Sequence, residues 1–223
     1  MTLSADKIRK QVEILTADLI RLSLCNHQNF PSVTSGAGGF KDISFSKAGD
    51  LSMVLKNQPY REIYTELDRA QAYNLKMIDG ALIQMMYRFK GNALKGHRLA
   101  FFPSPYLEEF QNNPDIYESD EIFADIMMRN IVVFPLRFDF DSSSEIFVDQ
   151  HHPKSHLTLG QYINCRIPVS SPVTPFAFLD FILRSFYNTA HRKYSSEINK
   201  FVDVFSNTIT DSEKKIVHVQ IPS

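Results

Sequence analysis

Two stretches of the chain alternate between apolar and polar residues, and this alternation limits the folds that the chain can adopt. The first is "LRFDFD" at 136–141, with Arg137, Asp139 and Asp141 at the polar positions, and the second is "HLTLGQYINCRIPV" at 156–169. Successive side chains of a strand point to opposite faces, so each stretch predicts a strand with one face on a core and one on water. If the two pair as an antiparallel hairpin, their polar sides share one face, with the aspartates near His156 and Thr158.

The middle of the chain predicts a meander of three strands over residues 74–103. Asp79-Gly80 is typical of a type I′ hairpin turn, and Gly91-Asn92 with Gly96 indicates the second reversal. Before this meander, residues 29–55 predict two or three short strands, and a helix is expected behind Pro59.

The two ends of the chain carry helical patterns. Ser4 precedes apolar residues at helical spacing, which predicts an opening amphipathic helix; these residues are Ile8, Val12, Leu15, Leu19 and Leu22. Thr174 and Pro175 predict the start of a core helix. We also expect helical pieces over 106–128, a further helix around 196–205, and a terminal strand, "KIVHVQI", with Val217, Val219 and Ile221 inward.

These segments together predict one α+β domain over residues 1–223, with a mainly antiparallel sheet, an N-terminal amphipathic helix and C-terminal core helices. With 223 residues, 43% of them hydrophobic, the chain is long enough to bury a sizeable core. Cys25 and Cys165 show no C-x-x-C spacing, and no run of apolar residues is long enough to span a bilayer. We therefore expect a cytoplasmic protein with no membrane partner.

The polar side of the predicted hairpin is a candidate metal site. Carboxylates and imidazoles suit a divalent ion such as Mg²⁺, Mn²⁺ or Zn²⁺, and the ligands would be Asp139, Asp141, His152 and His156. Such an ion could activate water for phosphodiester hydrolysis, with Asp139, Asp141 and His156 as catalytic residues. The alternative is an ordinary solvent-facing sheet surface, because the chain lacks an E-x-K strand, an H-E-x-x-H motif and a second H-x-T element.

A net charge of −1 gives no overall basic field, so any contact with DNA or RNA must come from a local patch. Basic and aromatic residues interleave in "MMYRFKGNALKGHRLAFF" at 85–102. Cations there could meet phosphates while bases stack on exposed rings. The candidate nucleic-acid contacts are Arg88, Lys95, His97, Arg98, Arg137 and Arg166. The alternative is that the aromatic residues belong to the core and that the lysines are solvated turn residues.

Several ordered motifs, among them "YNLKMIDGALIQMMYRF", "PLRFDFD", "HPKSHLTLG" and "FILRSFY", resemble the uncharacterised bacterial family DUF2290 over about residues 70–190. Members of that family are found beside a helicase in two-gene anti-phage defence cassettes. The resemblance implies a helicase partner, a nucleic-acid substrate and a role in phage defence, but it supplies no catalytic residue. Two hypotheses stay open: a metal-dependent nuclease effector, or a non-catalytic module that binds the helicase or its nucleic acid.

Overall fold

A large antiparallel sheet forms the centre of the protein, which the computed structural model describes over residues 3–45, 58–106, 134–162 and 164–222. Within these ranges the strands are β1 (Cys25–Gln28), β2 (Pro31–Ser35), β3 (Phe40–Phe45), β4 (Leu75–Met77), β5 (Leu82–Lys90), β6 (Ala93–Phe102), β7 (Leu136–Asp141), β8 (Ser155–Leu159) and β9 (Ile167–Pro168). They pair in the order β1-β4-β5-β6-β7-β8-β9. The strand β4 pairs with the start of β5, β3 pairs with the end of β5, and β2 pairs with β3. Every pairing between these strands is antiparallel, which confirms the predicted α+β class.

Four α-helices accompany the sheet in the described ranges: α1 (Ala5–Arg21), α2 (Tyr60–Arg69), α3 (Pro175–Phe186) and α4 (Asn188–Tyr194). The hydroxyl of Ser4 accepts a hydrogen bond from the backbone N–H of Lys7 at 3.4 Å, as predicted for the start of α1. Thr174 caps α3 in the same way, with Pro175 in the first turn. None of the described helices is both long and apolar enough to cross a bilayer.

The main core lies between one face of the sheet and the helices α1 and α3. The predicted apolar stripe of α1 is buried, and so is the stripe of α3 formed by Phe178, Leu179, Ile182 and Leu183. Alternate residues of the central strands contribute the sheet side of this core: Ile83, Met85, Tyr87, Phe89, Leu99, Phe101, Phe138 and Leu157. Because strand side chains alternate, the intervening residues must point to the opposite side of the sheet.

A smaller cluster covers one end of that opposite side. It joins α2 to the sheet and contains Phe45, Ile63, Tyr64, Leu67, Ala72, Tyr73 and Leu82. Most other side chains on this side of β5–β8 are polar. We call this surface the polar face, and its polar side chains are Arg88, Arg98, Arg137, Asp139, Asp141, His156 and Thr158.

A bulge in β6 determines which of its residues face the core. Phe89 lies opposite Leu94, whereas Arg88 lies opposite Gly96, so Lys95 is an extra residue on β6. As a result His97 points into the main core and Arg98 points to the polar face. Because successive side chains of a strand point to opposite sides, His97 does not share a surface with Arg98, and this geometry does not favour His97 as a nucleic-acid contact.

The turn between β4 and β5 differs from the type I′ prediction. A type I′ turn needs positive φ at both central residues, but Gly80 has φ +83° and Asp79 does not have a positive φ. The N–H of Gly80 donates a hydrogen bond to the carbonyl of Met77, and the N–H of Met77 donates to the carbonyl of Ala81. This is the pattern of a type I turn followed by a glycine bulge. The carboxylate of Asp79 accepts from the N–H of Ala81 at 3.0 Å and from the hydroxyl of Tyr187 at 2.8 and 2.9 Å.

Three further predictions are corrected. The stretch 156–169 is not one strand, because Gly160, at φ +62°, ends β8 and the chain returns as β9. Residues 196–205 are not helical; α4 comes earlier and is shorter than predicted. The terminal stretch is not a strand: Val219 makes a single bridge to Val169, and Val217 is 86% exposed. The helical pieces predicted over 106–128 lie almost entirely outside the described residues.

Tyr187→Phe tests the link between α3 and the β4–β5 turn. Burial raises the pKa of Asp79, and removal of the Tyr187 hydroxyl leaves its carboxylate with fewer donors. We expect a loss of about 1–3 kcal/mol in the free energy of unfolding, measured by urea denaturation. Tyr162→Phe, at a side chain that is 76% exposed, is the control and should stay within about 0.5 kcal/mol of the wild type. Equal stability of the two variants would contradict the assignment.

His97→Gln tests the core position of His97. The Nε2 atom of His97 accepts from the N–H of Val173 at 3.0 Å, and burial lowers the pKa of the imidazole from 6.5 to about 4. The folded state thus binds a proton more weakly than the unfolded state, so wild-type stability should fall by up to about 3 kcal/mol as the pH drops from 6.5 to 4. Urea denaturation across this range should give a flatter pH dependence for His97→Gln. The exposed-site variant His27→Gln should keep the wild-type profile.

Candidate functional site

The centre of the polar face is the carboxylate of Asp139. The strand register places Asp139 opposite Arg98 on one side and opposite His156 on the other. The antiparallel pairing of 136–141 with the His156 strand, which the sequence analysis had taken as a condition, is therefore present. The pairing of β7 with β6 had not been predicted, and it adds Arg98 to the site.

Two arginines hold this carboxylate. The Nε atom of Arg98 lies 3.3 Å from Asp139 Oδ1, and the Nε atom of Arg137 donates to Oδ2. The side chain of Asp139 is only 15% exposed, whereas those of Arg98 and Arg137 are 38% and 39% exposed. In the described part of the chain, the Nη atoms of both arginines have no hydrogen-bond partner.

Burial by itself would raise the pKa of Asp139. The charges of Arg137 and Arg98, together with the hydrogen bond from Arg137, outweigh it and hold the pKa below the ordinary value. Asp139 is therefore ionised at neutral pH, where it acts as the shared counter-ion of the two arginines.

His156 closes the other side of the site. Its Nδ1 atom lies 3.0 Å from the carbonyl oxygen of Pro153, and since a carbonyl can only accept, the Nδ1 proton is donated there. The Nε2 atom, 3.8 Å from Asp139 Oδ2, then carries the lone pair. Burial lowers the pKa of His156, against the raising effects of the Pro153 hydrogen bond and the Asp139 charge, so the ring is neutral at pH 7.

A shallow depression beside His156 contains two further predicted residues. The rings of His152 and His156 meet edge to face at 5.3 Å, and His152 and Arg166 line the depression with Asn164 and His151. Arg166 does not reach this place along a continuous strand, as the alternation had indicated, but through the loop that returns the chain after Gly160.

The predicted metal ligands do not form a metal centre in the described ranges, where no group of three or more His, Cys, Asp and Glu side chains is placed to bind an ion. The arginines occupy both oxygens of Asp139. Asp141 is exposed, and its Oδ1 accepts from the N–H of Ser143 at 2.8 Å. The hypothesis of a metal on Asp139, Asp141, His152 and His156 stays a prediction that this geometry does not favour.

The basic residues of the β5–β6 hairpin do not all lie on the same surface. Arg88 lies on the polar face and its Nε is 3.0 Å from Asp42 Oδ1, while Lys95 is the extra residue of the bulge. Sequence reasoning missed Asp42 and also Phe40, whose ring lies beneath Arg88. The only available signal was the short alternating run "FKDISF", which gives no indication that its strand pairs with β5.

Asp139→Asn tests the role of Asp139 as a counter-ion. Loss of the charge should destabilise the protein by about 1–2 kcal/mol at pH 7, because two charge-assisted hydrogen bonds weaken. Since the folded-state pKa is lowered, this difference from the wild type should persist above about pH 5 and shrink as the pH falls below about 4. Urea denaturation at several pH values measures both effects.

Asp141→Asn, on the same strand but exposed, is the matched control for Asp139→Asn. No ion pair of Asp141 is found in the described residues, so this change should alter stability by less than about 0.5 kcal/mol. A similar loss from both variants, or a gain in stability from Asp139→Asn, would contradict the counter-ion role.

Comparison with known proteins gives a family. The chain matches the model of the family described as "Uncharacterized conserved protein (DUF2290)" over residues 24–221. No curated protein and no solved structure matches the chain. Because the match covers most of the chain, including every strand of the polar face, the protein belongs to the DUF2290 family.

Proposed function

We propose that the protein binds nucleic acid on the polar face and acts without catalysis of its own, beside a helicase, in defence against phage. The observation that carries the proposal is the pair of arginines on Asp139. Each uses Nε to bind the carboxylate, which fixes the side chain, and among the described residues the Nη donors of Arg98 and Arg137 have no other partner at this half-exposed position. Arginines held in this way suit the oxygens of a phosphate.

The same observation counts against the nuclease hypothesis. A divalent ion on Asp139 would lie beside two guanidinium groups, whose positive charges oppose its binding. In the described ranges, no group of three or more ligand side chains is placed to complete such a site. Binding of an anion at the arginines meets no such repulsion, so the polar face favours recognition over metal-dependent cleavage.

The partner comes from the family context. The resemblance of the chain to DUF2290 implies a helicase encoded alongside, and a helicase supplies the nucleic acid that this face would hold. A module that binds DNA or RNA can contribute to such a pair by retaining the strand or by selecting it. Neither task requires a reaction at the polar face.

The double variant Arg98→Gln, Arg137→Gln tests the proposal. We expect it to lose most binding to fluorescein-labelled oligonucleotides, measured by anisotropy over a salt series. Because phosphate contacts release counter-ions, the slope of log affinity against log salt should also fall by roughly 1–2. The double variant Arg9→Gln, Arg184→Gln removes two arginines from α1 and α3, on the other side of the sheet, and should bind like the wild type.

Two outcomes would contradict the proposal. One is equal affinity of the wild type and the polar-face double variant. The other is cleavage of the oligonucleotide in Mg²⁺ or Mn²⁺ that stops with EDTA and with Asp139→Asn, which would restore the nuclease hypothesis. Protection against phage in cells that carry the helicase should disappear with the polar-face double variant and survive with the control.

A further inference from the structure

The polar face extends to a second cluster of cations at the end of β5, formed by Arg88 and Lys90. Phe40 of β3 pairs with Lys90 of β5, and Asp42 pairs with Arg88. Ile43, which alternates with Asp42, is fully buried in the main core. The side chains of Phe40 and Asp42 therefore point to the opposite side, the side of the polar face.

The cluster combines an aromatic ring with two cations. The guanidinium carbon of Arg88 lies 5.1 Å from the centroid of the Phe40 ring, and Lys90 Nζ lies 5.3 Å from it. Asp42 fixes the Arg88 side chain, which remains 58% exposed, through contacts of 3.0 and 3.5 Å. Aromatic rings and guanidinium planes at accessible positions are the groups on which unpaired bases stack.

The cluster and the arginines of the polar face lie along one diagonal of the sheet. Arg98 lies opposite Met86, which is two residues along β5 from Arg88, and Arg137 lies one strand further. With about 3.3 Å per residue and about 4.8 Å between strands, the distance from Phe40 to Arg137 is roughly 20–25 Å. This is the scale of a short extended segment of a few nucleotides.

The charge along this diagonal does not suit a duplex. Among the residues that the structure describes there, four cations share the surface with three carboxylates: Arg88, Lys90, Arg98 and Arg137 with Asp42, Asp139 and Asp141. Duplex binding draws most of its affinity from the neutralisation of many phosphates, commonly six to ten or so. Binding of a single strand can instead combine a few phosphate contacts with stacking.

We infer that the ligand of the polar face is single-stranded nucleic acid, with a base stacked on Phe40 and Arg88 and with phosphates at Arg98 and Arg137. This inference rests on the proposed function and adds the class of substrate. It also assigns a role to Phe40 that neither the sequence nor the Asp139 site had indicated.

Phe40→Trp tests the stacking directly. The chain contains no tryptophan, so the new indole is the only one and reports on its own surroundings. Titration with a 12-nucleotide single strand of DNA, and separately of RNA, should quench its fluorescence, because a stacked base quenches indole emission. Val202→Trp is the control and should show no change, because its side chain is 92% exposed between Phe201, which contacts α3, and Asp203, which lies 4.0 Å from Lys7 of α1.

Affinity gives the second measurement. The wild type should bind the single strand at least about tenfold more tightly than a blunt duplex of the same sequence. Phe40→Ala should weaken single-strand binding about tenfold, since one stacking contact is lost, and should leave the salt slope unchanged, since no phosphate contact is lost.

These measurements distinguish a failure of the single-strand inference from a failure of nucleic-acid binding by the polar face. Equal or tighter binding of the duplex, or an unquenched Phe40→Trp protein with Phe40→Ala at wild-type affinity, would overturn the single-strand inference. If Arg98→Gln, Arg137→Gln still abolished binding in that case, the proposed function would stand. Failure of the wild type to bind either form of nucleic acid would overturn both.

Discussion

The structure depends on the burial of one side of a single sheet. Residues such as Ile83, Leu99 and Phe138 are almost completely enclosed against α1 and α3. In a strand, the burial of one side chain fixes the direction of its neighbours, and a shift of one residue would place polar groups in the core. The position of Asp139 between Arg98 and His156 is therefore a consequence of how Phe138 and Leu157 pack. The polar face is thus held in place by side chains on the opposite side of the sheet.

The parts that sequence reasoning predicted are those that depend on local pattern. The cap of α1 at Ser4 and the start of α3 at Thr174 follow from nearby residues, and so does the alternation of residues 136–141. The apolar and polar alternation also placed Asp139 and His156 on one side. For this reason the fold class and half of the site could be obtained from the sequence.

The features that the sequence analysis did not predict depend on contacts between distant residues or on single backbone angles. Nothing near Arg98 indicates that β6 pairs with β7, because pairing with another strand would fit the same alternation. The positive φ of Gly160 divides an apparently continuous strand, and no rule of alternation detects it. The terminal segment shows a strand pattern, but only Val219 finds a partner, so Val217 remains in solvent.

A carboxylate between two arginines has a different use from a carboxylate in a metal site. In a metal site its oxygens are ligands, and the surrounding groups keep them available. Here the oxygens orient cations, and the net effect is a small positive region on a protein whose overall charge is −1. Such a region gives little long-range attraction, so a partner that delivers the ligand would compensate for slow encounter.

The bulge at Lys95 affects how the length of β6 can vary. If Lys95 were absent, Leu94 would still lie opposite Phe89 and Gly96 opposite Arg88, so every later residue would keep its side of the sheet. A residue gained between Gly96 and Arg98 would instead exchange the two sides for the rest of the strand and place Arg98 in the apolar core. The bulge is thus a position on this strand where one residue can be removed while inside and outside are preserved.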